Sequence, residues 1–79
     1  MDRYTLTHEG QAMFRRMESR VYADASFRTE DYNILHFLYE SGPASIDDIV
    51  GYTGLSRNVI VNKIMGIINR GYIKALVVH

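Results

Sequence analysis

Four isoleucines in the C-terminal third of the chain recur at a spacing that a helix places on one face. They stand at i, i+4, i+7 and i+8, a single apolar stripe at about 100° per residue: Ile60, Ile64, Ile67 and Ile68. Ser56 can cap the start of this helix, and Gly71 stands where a left-handed residue often ends one. The pattern predicts an amphipathic helix over residues 56–70 with a buried isoleucine face and a polar outer face.

Two shorter helical patterns precede it. A helix is predicted to begin after Thr29, with acidic residues in its first turn, and to end at Gly42 and Pro43. Its core stripe consists of Ile34, Leu35, Phe37 and Leu38. Ser45 followed by Asp48 resembles a capping box and opens a short helix that stops at Gly54. The apolar residues of this short helix are Ile46, Ile49 and Val50.

The two ends of the chain favour strands. The segment "DRYTLT" is rich in β-formers, and Thr7 can cap a helix that begins near His8 or Glu9. This first helix is predicted to carry an apolar stripe as far as residue 25: Met13, Phe14, Met17, Val21 and Ala25. The closing segment "YIKALVV" reads as a second strand. The expected fold class is mainly α with a small β-sheet and four helices.

The length of 79 residues predicts a single domain, residues 1–79, that buries roughly 60% of its unfolded surface. No apolar run approaches the roughly 20 residues of a membrane span, and the start of the chain lacks the layout of a signal peptide. The chain contains no cysteine, which fits a reducing compartment. We therefore expect a cytoplasmic protein with no membrane partner.

The chain has no net charge, but its acidic and basic residues are unevenly distributed along the sequence. Residues 1–48 hold five arginines and all nine acidic residues, whereas residues 49–79 hold four basic residues and no acidic one. Such asymmetry is typical of a domain whose basic half meets a polyanion, although a solvated surface tolerates it as well.

The two helices around Gly54 have the arrangement of a helix-turn-helix, whose second helix lies in the major groove of DNA. Glycine permits the sharp turn, and Leu55 and Ile60 fill the angle between the helices. Polar residues at the start of the second helix, together with two apolar ones, are predicted to project away from the isoleucine stripe: Ser56, Arg57, Asn58, Val61, Asn62 and Met65. Arginine can pair with guanine, asparagine with adenine, and a small apolar side chain with a thymine methyl group.

Residues 28–74 resemble the winged helix-turn-helix of MarR-type transcriptional regulators. The resemblance rests on a helix followed by "SIDDI", "TGLS", a recognition helix of ten-odd residues and "RGYI" leading into a strand. It implies base-reading and phosphate-contacting roles for residues at the start and along the outer face of the last helix: Ser56, Arg57, Asn58, Val61 and Asn62, with Lys63 nearby as a further DNA-binding residue. Two positions depart from the family pattern, because Val50 replaces a usual alanine and Ile68 replaces a usually polar residue.

The wing is the third departure. The family's wing is a hairpin of two strands, whereas only one strand follows the last helix here. The N-terminal "YTLTHEG" resembles the segment that follows the wing, so we predict that residues 3–6 pair antiparallel with residues 72–78 in a permuted layout. Arg3 and Lys74 would then be the basic residues nearest to a wing contact with DNA.

Enzymatic chemistry finds no support in the sequence. His8, His36 and His79 lack the spacing of metal ligands. Asp47 and Asp48 stand at a helix start, where the helix dipole accounts for them. We predict no catalytic, cofactor-binding or metal-binding residue.

The sequence thus predicts a double-stranded DNA-binding protein, a transcriptional regulator that acts as a homodimer. A homodimer is expected because one helix reading a few bases binds weakly, whereas two copies read two half-sites. The alternative is a winged-helix module that binds another protein through Met65, Ile68 and the tyrosines. Tyr32 and Tyr39 suit either such an interface or the rim of a core.

Overall fold

The fold is seen in a computed structural model that describes residues 2–19 and 29–77, without the side chain of residue 77. Its elements, in chain order, are β1 Asp2–Leu6, α1 His8–Glu18, α2 Thr29–Ser41, α3 Ile46–Thr53, α4 Arg57–Asn69 and β2 Ile73–Val77. Within these ranges the protein is mainly helical, with four helices and a small two-stranded antiparallel sheet. At this level the predicted fold class is confirmed.

The two strands come from opposite ends of the chain and pair with each other. Asp2 lies opposite Val77 and Leu6 lies opposite Ile73 in an antiparallel register. On its other side β1 forms an isolated bridge, in which Tyr4 and Ala44 exchange two main-chain hydrogen bonds of 2.7 and 3.0 Å. The predicted antiparallel pairing of the terminal segments is confirmed, and β1 lies between β2 and the connection from α2 to α3.

Local sequence signals fix the starts of α1 and α3 where they were expected. The hydroxyl of Thr7 accepts a hydrogen bond from the N–H of Gly10 at 3.0 Å. Ser45 and Asp48 form a reciprocal capping box with two bonds of 3.1 Å. These contacts satisfy main-chain donors that have no partner inside the helix.

One contiguous core lies between the helices and the sheet. Its buried apolar residues are Leu6, Met13, Phe14, Ile34, Leu35, Leu38, Ala44, Ile49, Ile60, Ile64, Ile67 and Ile73. Three of the four predicted isoleucines of α4 are therefore buried, whereas Ile68 is only partly so. Phe37, Ile46 and Val50 pack against the core from its edge. The predicted apolar stripes lie on the correct helix faces but are slightly too wide. Residues at the edge of a stripe, such as Ile68, contact the core on one side only.

The first helix was predicted to extend to residue 25, but α1 ends at Glu18. Val21 and Ala25, the last two members of its predicted stripe, lie outside the described residues. Among the described helices, none is both long and apolar enough to cross a membrane.

Candidate functional site

The turn between α3 and α4 orients the last helix. Gly54 adopts a left-handed conformation with φ of 73°, and its N–H donates to the carbonyl of Val50 at 2.9 Å. The hydroxyl of Thr53 accepts from the N–H of Leu55 at 3.3 Å. Ser56 then caps α4 by accepting from the N–H of Val59 at 3.3 Å. Because every residue of this turn is held by a cap or a hydrogen bond, the direction of α4 is set by α3.

The outer face of α4 consists of Asn58, Asn62, Met65 and Asn69. At about 100° per residue these side chains lie opposite the buried isoleucines, and the three asparagines fall within about 40° of one another. All four are exposed, with Met65 at 53%. We refer to Asn58, Asn62 and Asn69 as the asparagine row. The row presents amide groups, which both donate and accept hydrogen bonds, without cover from the described parts of the chain.

Asn69 is a member of the outer face that the sequence prediction missed. It stands eleven residues after Asn58, which is close to three helical turns, so the spacing alone contained the signal. Val61 was predicted to project with the asparagines and is 38% exposed, but it lies on the flank of α4 beside Ile68.

Arg57, at the first position of α4, forms an ion pair with Asp47 of α3. Both side chains are largely exposed, at 62% and 73%. The guanidinium therefore remains accessible to solvent, but its charge is partly countered by a carboxylate of its own chain. An exposed pair of this kind is weak and can be exchanged for another anion.

Lys63 projects from the opposite flank of α4, toward the start of α2. Its ammonium lies 3.5 Å from a carboxylate oxygen of Glu30 and 3.4 Å from one of Asp31. The Lys63 side chain is only 21% exposed, and that of Asp31 only 11%. The structure thus places Lys63 in a half-buried ion pair that joins α4 to α2, and does not bring it together with the outer face.

Lys74 belongs to the sheet and not to α4. It stands on β2 opposite Thr5, and it is exposed. Arg3 lies on the same outer surface of the sheet, because alternate residues of a strand share a face. The Arg3 guanidinium donates to the carbonyl of Pro43 at 3.4 Å. Of the predicted site residues, the structure places Asn58 and Asn62 on the outer face of α4, Ser56 and Arg57 at its start, and Val61 on its flank. Lys63 lies on the opposite flank and Lys74 on the sheet.

The tyrosines predicted at the border of α2 belong to an aromatic cluster. The ring of Phe14 lies 5.6 Å from that of Tyr32 and 4.7 Å from that of Tyr39. Desolvation, followed by a 3.2 Å hydrogen bond to Glu18, raises the pKa of the Tyr32 hydroxyl above its ordinary value. On α3, Tyr52 stacks on Phe37 at 4.6 Å. These rings pack against one another and thereby join α1, α2 and α3.

The described residues include no group of three or more side chains suited to holding a metal ion. In comparisons with known proteins, no family model, no curated protein and no solved structure matches this chain. A functional interpretation must therefore come from the geometry of α3, α4 and the sheet.

Proposed function

We propose that this protein is a double-stranded DNA-binding protein that reads the major groove with the outer face of α4. The observation that carries the proposal is the asparagine row, a line of exposed amides held outward by an isoleucine face that is buried on the other side. Exposed amides at regular helical spacing match the hydrogen-bonding edges of bases in the groove. A helix of 13 residues is also long enough to lie along it.

The arrangement around α4 supports a winged helix-turn-helix of the MarR-like type. The α3–Gly54–α4 unit has the tight, capped turn that such a motif needs. In this proposal the sheet of β1 and β2 takes the place of the wing, with its strands drawn from both ends of the chain. Arg3 and Lys74 on the outer surface of the sheet are its candidate DNA contacts.

The start of α4 is suited to phosphate contact. Its first turn contains no acidic side chain, so the positive end of the helix dipole is not neutralised within the helix. Ser56 and Arg57 stand at this end. Arg57 would exchange its exposed partner Asp47 for a phosphate on binding, at little cost in stability.

We further propose that the protein regulates transcription in the cytoplasm as a homodimer. The chain has no net charge, and Arg57 and Lys63 are both paired with carboxylates, so a single copy offers little electrostatic attraction to DNA. Two copies reading half-sites about 34 Å apart would supply the missing affinity.

Fluorescence anisotropy with a pool of randomised duplexes tests the proposal. Binding is expected at low salt and should weaken steeply as salt rises. The double variant Asn58→Ala/Asn62→Ala should lose most of its sequence-selective binding. Asn33→Ala is the matched control, because it removes the same side chain from α2, away from the outer face of α4. Absence of binding to every duplex at low salt would refute the DNA-binding proposal.

One observation favours a second candidate, a protein-binding module. Met65 and Val61 expose apolar surface on α4, at 53% and 38%, and Ile68 is only partly covered. A protein partner seated on these side chains would bind with little dependence on salt. Salt-insensitive capture of a protein, combined with no shift of any duplex, would favour this candidate.

A further inference from the structure

We propose that the outer face of α4 selects A·T base pairs over G·C base pairs. This inference rests on the proposed function and goes beyond it, since it specifies which bases the site accepts. It follows from the side chains that the fold exposes on this face and from the cationic side chains that it places elsewhere.

The face is made of amides. An asparagine side chain carries one donor group and one acceptor side by side, which matches the N6 donor and N7 acceptor that adenine shows in the major groove. Guanine shows two acceptors, N7 and O6, in the same place. An asparagine facing guanine would set its own oxygen against one of them, leaving a desolvated acceptor without a partner.

The cations that could read guanine lie off this face. Arg57 stands on one flank of α4 and is paired with Asp47, and Lys63 stands on the other flank and is paired with Glu30 and Asp31. Among the described residues, the outer face itself carries no charged side chain. The usual bidentate contact from arginine to guanine is therefore not offered by the residues best placed to meet bases.

The apolar residue of the outer face also favours A·T pairs. Met65, 53% exposed, stands between Asn62 and Asn69, and Val61 flanks them at 38%. The methyl group of thymine is the apolar feature of the major groove, and it accompanies every adenine across the pair. Amide and apolar groups together thus match the two halves of an A·T pair.

The spacing allows more than one pair to be read at once. Asn58 and Asn62 are one turn apart, about 6 Å along the helix axis. Successive base pairs are about 3.4 Å apart, so the two amides reach bases about two steps apart where the helix follows the groove. We therefore expect a short A·T segment in each half-site.

Three duplexes of equal length and charge, each carrying a different core of base pairs between identical flanks, test this inference by fluorescence anisotropy. The cores are A·T, G·C and inosine·C, the last of which has the major-groove edge of G·C and the minor-groove edge of A·T. We expect the A·T core to bind about tenfold tighter or more than both others. Replacing adenine by 7-deazaadenine, which lacks N7, should reduce the advantage.

Two variants test whether the base-pair preference depends on the asparagine amides of α4. Asn58→Ala/Asn62→Ala should bring the three affinities close together, and Asn62→Arg should shift the preference toward the G·C core. Asn33→Ala should keep the original preference. Thermal unfolding should show the wild type and the three variants folded, because Asn58 and Asn62 are exposed and Asn33 is not buried.

Each outcome has a definite meaning. Equal binding of the A·T and G·C cores overturns the inference and leaves DNA binding intact. Inosine·C binding as tightly as A·T also overturns it, because recognition would then come from the minor groove or from duplex shape. Binding to none of the three at low salt refutes the proposed function itself, and this inference with it.

Discussion

Gly10 in α1 packs directly on the main-chain carbonyl of Tyr72, so closely that a Cβ atom at position 10 would overlap the carbonyl oxygen. The contact lies beside two hydrogen bonds from Thr7, one from its N–H to the carbonyl of Tyr72 at 3.0 Å and one from its hydroxyl to the carbonyl of Gly71 at 2.6 Å. Together they dock the start of α1 on the turn between α4 and β2. The N-terminal segment is therefore part of the scaffold that holds α4.

Gly10→Ala should strongly destabilise the fold, because the obstructing atoms belong to the main chain and cannot rotate away. We expect the free energy of unfolding to fall by about 3 kcal/mol, the upper end of ordinary overpacking. Gly51→Ala is the matched control, since it also lies within a helix but has open space at its Cβ position. The control should raise the free energy of unfolding by about 0.5–1 kcal/mol. Urea denaturation measures both, and equal effects would argue against the close packing.

Hydrogen exchange tests the pairing of the N-terminal strand. The N–H groups of Tyr4 and Thr7 donate to main-chain carbonyls of Ala44 and Tyr72, at 2.7 and 3.0 Å. We expect both amides, and that of Ala44, to be protected from exchange, because each donates a main-chain hydrogen bond. The specific comparison is with the amide of Asn58, which lies in the exposed first turn of α4 and should exchange rapidly. Rapid exchange at Tyr4 and Ala44 would contradict the bridge between β1 and the connection from α2 to α3.

The sequence predicted features that local chemistry determines. The Ser45–Asp48 capping box and the left-handed Gly54 depend on neighbours within a few residues, and both are present. The strand pairing was also predicted, but only by a resemblance, because the partners stand at opposite ends of the chain. The half-buried ion pair of Lys63 with Asp31 was not predicted, since it joins residues 32 positions apart and depends on how α2 packs on α4.

The capping box gives the fold a defined response to acid. Hydrogen bonds from the main chain of Ser45, and then from its side chain, lower the pKa of Asp48 below its ordinary value of 3.8. A carboxyl whose folded pKa is lowered contributes stability above its unfolded pKa and loses it as the pH falls through the folded pKa. The contribution of Asp48 should therefore be complete at neutral pH and disappear below pH 3.8.

Asp48→Asn removes this contribution while keeping the shape of the side chain. The difference in unfolding free energy between wild type and variant should be largest near neutral pH and should shrink progressively below pH 3.8. Thermal unfolding across a pH series measures it. Asp47→Asn removes the same charge from the same helix turn without the bond to Ser45, so its effect should be smaller. A difference for Asp48→Asn that is independent of pH would contradict the linkage.

Lys63 should matter more for folding than for binding. Lys63→Met keeps the apolar stem but removes the ammonium that lies 3.4 Å from Asp31, so we expect a loss of about 1 kcal/mol in unfolding free energy. A double-mutant cycle with Asp31→Asn isolates the pair from the other contacts of Asp31. Lys74→Met, on the exposed surface of β2, is the control and should leave stability nearly unchanged. If Lys63→Met leaves stability unchanged but lowers the salt dependence of DNA binding, Lys63 contacts phosphate as the sequence predicted.

Asp47 should restrain DNA binding by holding Arg57. Asp47→Asn removes the carboxylate partner, leaves Arg57 free to contact a phosphate, and takes a negative charge away from the start of α4. Duplex affinity at low salt should rise modestly, because Arg57 no longer has to give up Asp47 before it contacts a phosphate. The slope of log affinity against log salt should stay close to that of the wild type, since the number of phosphate contacts is unchanged. Glu9→Gln makes the same change in net charge on α1, and it should alter affinity far less. Arg57→Ala should lower the slope, and combining it with Asp47→Asn should cancel the gain, because the effect of Asp47 is argued to pass through Arg57. An equal gain from Glu9→Gln would instead assign the effect to net charge alone.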